Sequence, residues 1–443
     1  MNIMMVVGAR PNFMKAAPII AAIQEHNRKM SPLAANRNRL SGDGIQHILV
    51  HTGQHYDDLM SNAFFRDLNL PKPDVHLGVG SGSHAVQTAE VMKQFERVLL
   101  AEKPEVVVVV GDVNSTLACA LVASKISFDS AGSRPLIAHV EAGLRSFDHS
   151  MPEEINRVLT DHVSDLLFVT EESGVQNLRD EGIPPYRIHF VGNTMIDSLL
   201  AFKERAENST ILDKLWLRAT ATSAPAAGQK GYAAASRTET YGDNGNLVRR
   251  YALLTLHRPS NVDNRRTLLD IMEGLEELAV NQPVIFPVHP RTRRRLEEFG
   301  VKFDAAIWGP DLHGGGPSLG APRNGVLLTE PLGYLDFLCL MKHASVVVTD
   351  SGGIQEETTC LGVPCVTVRN NTERPVTIEK GTNVLAGTKS DRIRNAIRHQ
   401  TARKLQQIVP DKWDGQAATR IVAALLQVQK HSEERLARQV AVF

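Results

Sequence analysis

Cysteine is scarce in this chain: Cys119, Cys339, Cys360 and Cys365 are the four among 443 residues. They sit in apolar stretches without Cys-x-x-Cys spacing, which argues against a disulfide scaffold and against a zinc site. An excess of either charge is also missing. Lys+Arg and Asp+Glu balance at 49 each, so no basic field favours nucleic acid or an anionic membrane. Apolar runs are short, as in Val106–Val110, whereas a membrane span needs about 20 residues. Met1–Val7 leads directly into Gly8-Ala-Arg-Pro11, with no basic region and too little apolar length for a signal peptide. There is no Walker A lysine loop, and the histidines show no HExxH or other close metal-ligand spacing. Gly78-x-Gly80-x-Gly82 is not Gly-x-Gly-x-x-Gly and follows no convincing strand, so it does not signal a nicotinamide site. What remains is ordinary: 42% hydrophobic and 22% charged residues describe a soluble globular protein, read as reduced and cytoplasmic. At about 100–200 residues per domain the length suggests two or three domains.

Short β-rich runs alternate with amphipathic stretches. Ile3–Val7, His47–His51, Val106–Val110, Leu136–Val140, Leu166–Thr170 and Ile188–Val191 form one series of predicted strands. Tyr251–Leu256, Val284–Val288, Gly325–Leu328, Val346–Thr349 and Cys365–Val368 form a second. Strands separated by helical segments indicate βαβ units, so the fold expected is α/β, with two doubly wound Rossmann-like domains facing a central cleft. Lys29–Gly44, Ser127–Arg134, Thr220–Gly245 and Gly309–Arg323 read as inserted surface loops, the third expected to be mobile. Gln416 to about Arg438 reads as an amphipathic helix.

Ligands of open parallel sheets bind beyond the carboxyl ends of the strands. Asp112, Glu141, His257, His289 and the pair Asp350-Ser351 each follow a predicted strand. Singly, each is as well explained as a loop cap; together they point to a site. In Val348-Thr-Asp-Ser-Gly-Gly-Ile-Gln-Glu-Glu357 a buried strand turns through Ser351, Gly352 and Gly353 into a helix. Small residues and free N–H groups there suit a phosphate, with Glu357 one turn on for ribose hydroxyls. A tight βα turn with acidic residues suited to the helix dipole explains the motif equally well. Arg10 and Lys15 open a helix, where cations oppose the dipole and so favour an anionic ligand. Ser150-x-x-Glu153 fits a capping box before a helix whose apolar period is Ile155, Val158, Leu159 and Val163. Arg374 reads either as a diphosphate clamp or as an exposed loop arginine.

The ordered set Gly8-Ala-Arg-Pro-Asn-Phe-Met-Lys15, Thr52-Gly-Gln-His55, Gly111-Asp-Val-Asn-Ser-Thr116, His139-Val-Glu-Ala-Gly-Leu-Arg145, Pro152-Glu-Glu-Ile-Asn-Arg157, Val191-Gly-Asn-Thr-Met-Ile-Asp197, Thr255-Leu-His-Arg258, Ser351-Gly-Gly-Ile-Gln-Glu-Glu357, Thr372-Glu-Arg-Pro375 and Gly381-Thr-Asn383 resembles the non-hydrolysing UDP-N-acetylglucosamine 2-epimerases. The resemblance spans most of the chain outside the four insertions. It implies the glycosyltransferase-B architecture. Residues 1–195 would form an N-terminal domain, with a C-terminal helix at about 416–443 packing back on it. Residues 196–415 would form the UDP-binding domain, with a mobile insertion at 218–248.

It also implies interconversion of UDP-GlcNAc and UDP-ManNAc, supplying ManNAc units for cell-envelope polysaccharide. The route implied is elimination of UDP to 2-acetamidoglucal and re-addition, with neither metal nor redox cofactor, in a homodimer. By the same resemblance Asp112, Glu141, Glu153 and His257 are the catalytic groups. Arg10, Lys15, Phe337, Ser351, Gly352, Gly353, Glu357 and Arg374 contact the substrate, although Tyr334, Phe337 and Leu338 also read as an apolar helix face. Gln54, His55 and His289 match parts of an allosteric subsite found in some members. The chain departs from the family pattern at Leu332 and Asp57, where Gln is expected. A hydrolysing epimerase, a retaining glycosyltransferase and a non-catalytic sugar-nucleotide sensor share the cleft. The carboxylate set at Asp112, Glu141 and Glu153 fits proton shuttling better than sugar transfer or sensing.

Overall fold

The computed structural model of the protein describes residues 1–30, 44–54, 67, 68, 70–218, 248–301, 324–402 and 408–440, with the side chains of Arg10 and 431–440 outside that description. Of the expected insertions, Ser127–Arg134 is a largely exposed loop; the other three lie wholly or mostly outside the described residues. The chain divides into two units, Met1–Ala201 with Pro410–Phe443, and Phe202–Val409.

In the first unit β1 (Asn2–Val7), β2 (Gln46–His51), β3 (Val75–His76), β4 (Val106–Val110), β5 (Leu136–Ala142), β6 (Leu166–Val169) and β7 (Ile188–Phe190) pair in parallel, in the order β3-β2-β1-β4-β5-β6-β7. In the second, β8 (Ala252–Thr255), β9 (Pro283–Pro287), β10 (Gly325–Thr329), β11 (Val346–Thr349), β12 (Cys365–Thr367) and β13 (Asn383–Leu385) are parallel in the order β10-β9-β8-β11-β12-β13. Both sheets are doubly wound, as expected. Helices on both faces bury the central strands, which is why β4 reads as unbroken valine rather than as an alternating pattern. The second core forms where Leu254, Phe286, Val346 and Val348 meet Leu268, Ile271, Leu275 and Ile393.

The order of each sheet reverses at its first strand. The topological switch point therefore lies between β1 and β4 in the first unit, and between β8 and β11 in the second. The segments that leave those strands at their carboxyl ends are Gly8–Lys15, Gly111–Asp112, His257–Arg258 and Asp350–Gly353. All four carry motifs singled out from the sequence.

The last helix, Ala417–Val440, is tied to the first unit. Trp413, buried, donates from Nε1 to the Thr170 carbonyl at 3.0 Å. The Asp197 carboxylate accepts from the backbone N–H groups of Ala417 and Ala418 at 3.2 and 2.7 Å, satisfying two orphan donors at that helix start. All four cysteines are free and buried. No helix among the described residues is long and apolar enough to cross a membrane.

Candidate active site

The first cluster grows from the turn after β1. Asn12 Oδ1 accepts from the N–H groups of Gly8 and Ala9 at 3.0 and 2.9 Å, while its Nδ2 donates to the Val110 carbonyl at the end of β4. One side chain thus folds the Gly-Ala-Arg-Pro-Asn turn and fastens it across the switch point. Helix Arg10–Met30 starts in that turn. Arg10 is its first residue, and its side chain is outside the described set. Lys15 is not a solvated surface charge: it is buried and paired with Glu141, each side chain 6% exposed.

Glu141 does not follow β5, as expected, but lies within it. The register between β5 and β6 shifts between Val140 and Ala142, and Glu141 adopts φ +75°. A bulge re-aims the side chain, and a left-handed glutamate is a strained conformer held by its surroundings. Gly111, at φ +70°, packs against this pair. A Cβ there would stand 3.1 Å from Lys15 Nζ and 3.3 Å from Glu141 Oε2. Asp112 follows, about a quarter exposed, with Arg157 Nη1 2.5 Å from its Oδ2.

Helix Pro152–Val163 overturns two expectations. The capping box is absent: Met151 is the N-cap without a side-chain bond, and Ser150 Oγ donates to Asp148 instead. Glu153 is half-buried on the first turn and has no capping role. The helix also buries its polar face, Glu154, Asn156, Arg157, Thr160 and Asp161, and leaves Ile155 and Leu159 exposed. The reason is a buried ionic layer. Glu154 accepts from Ser146 N, Ser146 Oγ and Phe147 N and pairs with Arg157 at 2.7 Å. Burial works to raise its pKa, but those donors and Arg157 outweigh it and hold the carboxyl below its ordinary value. Arg157 therefore bridges Glu154 to Asp112, and Asn156 Nδ2 donates to the Asp112 carbonyl at 2.9 Å.

In the second unit Asp350, wholly buried, organises the turn after β8. It accepts from His257 N, Arg258 N and Asn261 Nδ2, and its Oδ1 lies 2.9 Å from His257 Nδ1. Burial pushes the Asp350 carboxyl up, but His257 and the backbone donors prevail and keep it low. The His257 side chain is otherwise 56% exposed, so its second nitrogen is presented to solvent or ligand. Ser351 caps helix Gly352–Leu361 without a side-chain bond, leaving the hydroxyl uncommitted to the cap. Gly352 leaves room for the buried ends of Arg374 and Glu373: a Cβ would run into Arg374 Nη1 and Glu373 Oε1, and both would have to shift. Gly353 continues the helix.

Arg374 is not an exposed loop arginine. It is buried and paired with Glu356 at 2.9 Å and Glu373 at 2.5 Å. Glu373 also receives Arg369 and Arg258. This carboxylate hub was missed, although it sits inside the Thr-Glu-Arg-Pro motif that drew notice for its arginine. Phe337 is partly exposed on helix Tyr334–His343, between buried Tyr334 and Leu338.

Glu357 is buried, and Tyr334 OH donates to its Oε1 at 3.0 Å. Burial, the largest influence, and then Glu356 against the opposing Tyr334 bond, push its carboxyl up from 4.5 to about 8. A carboxyl that binds its proton more tightly when folded destabilises the fold increasingly as pH rises through that window. Glu357→Gln should therefore lose less unfolding free energy than the parent between about pH 5 and about pH 9. Urea titrations with equal pH slopes for the two proteins would remove the assignment.

Of the residues matched to an allosteric subsite, Gln54 belongs to the first unit and His289 to the second. Gln54 Oε1 accepts from Ser115 N and Ser115 Oγ at 3.1 and 2.7 Å, stitching the loop after β2 to the helix after β4. His55 and Asp57 are outside the described residues. His289 is exposed and caps helix Pro290–Glu298 by accepting from Arg291 N.

The family model described as UDP-N-acetylglucosamine 2-epimerase matches residues 38–426. The UDP-N-acetylglucosamine 2-epimerase of Methanocaldococcus jannaschii is 40% identical over 96% of this chain and 99% of its own. A crystal structure of the Methanocaldococcus jannaschii UDP-GlcNAc 2-epimerase with UDP-GlcNAc and UDP superposes with a TM-score of 0.73 at 38% identity, covering 96% of this chain and 99% of the other. The UDP-2,3-diacetamido-2,3-dideoxy-D-glucuronate 2-epimerase of Pseudomonas aeruginosa is 36% identical over 96% of this chain and 99% of its own.

Proposed function

The chain belongs to the UDP-N-acetylglucosamine 2-epimerase family, and we propose that it interconverts UDP-GlcNAc and UDP-ManNAc by eliminating and re-adding UDP. The enzyme is an isomerase. The hydrogen at carbon-2 of the sugar is not adjacent to a carbonyl, so direct deprotonation is very slow. Elimination avoids this. A base takes the carbon-2 proton, that C–H pair becomes the carbon-1–carbon-2 double bond, and the carbon-1–oxygen pair leaves with UDP. A UDP oxygen then adds back to carbon-1 of 2-acetamidoglucal while a proton arrives at the opposite face of carbon-2. The product supplies ManNAc units for cell-envelope polysaccharide.

The observation that carries this reading is the pair of carboxylates at the first switch point. Asp112 and Glu141 are each seated on a cation, Arg157 and Lys15. Proton transfer needs such positioned acid/base groups; binding a nucleotide sugar does not. Glu153 adds a third carboxylate to the set. Arg10 and Lys15 draw the anionic substrate to the first unit. The Ser351-Gly-Gly turn takes the diphosphate on helix N–H groups, Glu357 takes ribose, Phe337 packs on the uracil, and Arg374 holds the turn for it. His257, fixed by Asp350, polarises the leaving phosphate.

Positional isotope exchange tests the bond cleavage. UDP-GlcNAc labelled with ¹⁸O between carbon-1 and phosphorus should scramble the label into the non-bridging β-phosphate oxygens of recovered substrate. A label that stays in place would end the elimination reading. The Pseudomonas aeruginosa relative favours one second reading, a 2,3-diacetamido uronic acid as the sugar, to which the same chemistry applies. Comparing kcat/KM for the two UDP-sugars decides between them. We also propose a homodimer, to be checked by sedimentation.

A further inference from the structure

His139 lies in the middle of β5 with no solvent exposure. Its Nδ1 is 2.6 Å from Asp161 Oδ1 and its Nε2 is 2.8 Å from the Gly111 carbonyl oxygen. Both partners accept. A neutral imidazole has one N–H and one lone pair, so it would set that lone pair against an acceptor in a dry interior. With Asp161 ionised, as its Arg145 and Gly143 donors favour, the ring satisfies both contacts only if each nitrogen carries hydrogen.

The surroundings suit that charge. Asp161, also without exposure, uses its Oδ2 for Arg145 Nη1 at 2.7 Å and Gly143 N at 3.0 Å. Arg145 is in turn forked onto Glu181. Burial alone would raise the Asp161 carboxyl's pKa, but His139 and Arg145 outweigh it and hold it below its ordinary value. Neighbouring acids are paired with cations in the same way: Glu141 with Lys15, Asp112 and Glu154 with Arg157, and Asp161 with Arg145.

The Gly111 carbonyl belongs to the peptide that leads into Asp112, and the Gly111 Cα packs against the Lys15–Glu141 pair. We propose that His139 is a positioning residue for the epimerisation: a buried imidazolium, held by Asp161, whose Nε2–H fixes the Gly111–Asp112 peptide and so aims Asp112 and seats the Lys15–Glu141 pair. The proposal rests on the reading of Asp112 and Glu141 given above. With both nitrogens engaged and no access to substrate, His139 itself trades no proton.

Two measurements on the full chain test it. In protein labelled with ¹⁵N-histidine, long-range proton–nitrogen NMR at pH 7 should show both His139 ring nitrogens protonated, with the signals assigned by their loss in His139→Gln. One bare nitrogen overturns the proposal. In kinetics, Gln keeps a donor for Gly111 and Leu keeps none. His139→Leu should lose about 10²-fold in kcat, the cost of a small misplacement of reacting groups. His139→Gln should retain more of it, and KM should change little in both. Wild-type kcat in either variant, or Leu ranking at or above Gln, overturns it. If His139→Leu does not fold, the nitrogen count and the Gln variant still decide. If the parent shows no epimerisation, the functional reading fails, and the nitrogen count stands or falls separately.

Discussion

Asp112→Asn should lower turnover by about 10²–10⁴-fold, the usual worth of a positioned acid or base. The variant keeps the seat. An Asn Oδ1 in that place still accepts from Arg157 Nη1, and the Asn156 bond to the residue 112 carbonyl is untouched. KM for UDP-GlcNAc and the unfolding midpoint should therefore stay near those of the parent. What is lost is the capacity to take or return a proton. Steady-state kinetics beside a urea titration separates the two effects. Unchanged kcat would shift the proton transfers to Glu141 and Glu153 alone.

Glu141→Gln should show both effects at once. Its carboxylate is paired with Lys15 where each side chain is 6% exposed. Removing one member of a buried pair leaves an uncompensated charge, at a cost of about 3–5 kcal/mol. Turnover should fall by about 10²–10⁴-fold as well. The double variant Lys15→Met/Glu141→Gln separates the roles, because removing both charges restores most of the stability and none of the turnover. A double variant as unstable as the single would mean that the bulge at Glu141, not the pairing, sets the energetics. Recovered turnover would take Glu141 out of the chemistry.

The sheets were legible in the sequence because completely buried parallel strands are written as short apolar runs. The strands that escaped, β3 and β13, are two and three residues long and carry no unbroken buried apolar run, since β3 is Val75-His76 and β13 opens on Asn383. The strand-end rule located Asp112, His257 and Ser351 because a parallel sheet sends its carboxyl ends to one edge. It misplaced Glu141, since a bulge is a register event between two strands and leaves no local trace. Helix Pro152–Val163 misled for a related reason. Periodicity finds two faces but does not say which is buried, and here an ionic layer takes the inside at Glu154, Arg157 and Asp161 while Ile155 and Leu159 face out. The supporting residues were invisible for want of partners in the sequence. Asn12 meets Val110, His139 meets Asp161, and Arg258 meets Glu373, across 98, 22 and 115 positions. Glu153 as a catalytic candidate came from family resemblance alone, and its half-buried place on the first helical turn is compatible with that role.

The central claim is that carbon-2 loses its proton to the enzyme and regains one from it. Proton NMR of UDP-GlcNAc with the purified full chain in D₂O, without added metal or nicotinamide, tests this most directly. The account predicts UDP-ManNAc carrying deuterium at carbon-2. UDP-ManNAc that retains the original carbon-2 proton, or free ManNAc and UDP as the first products, would contradict it.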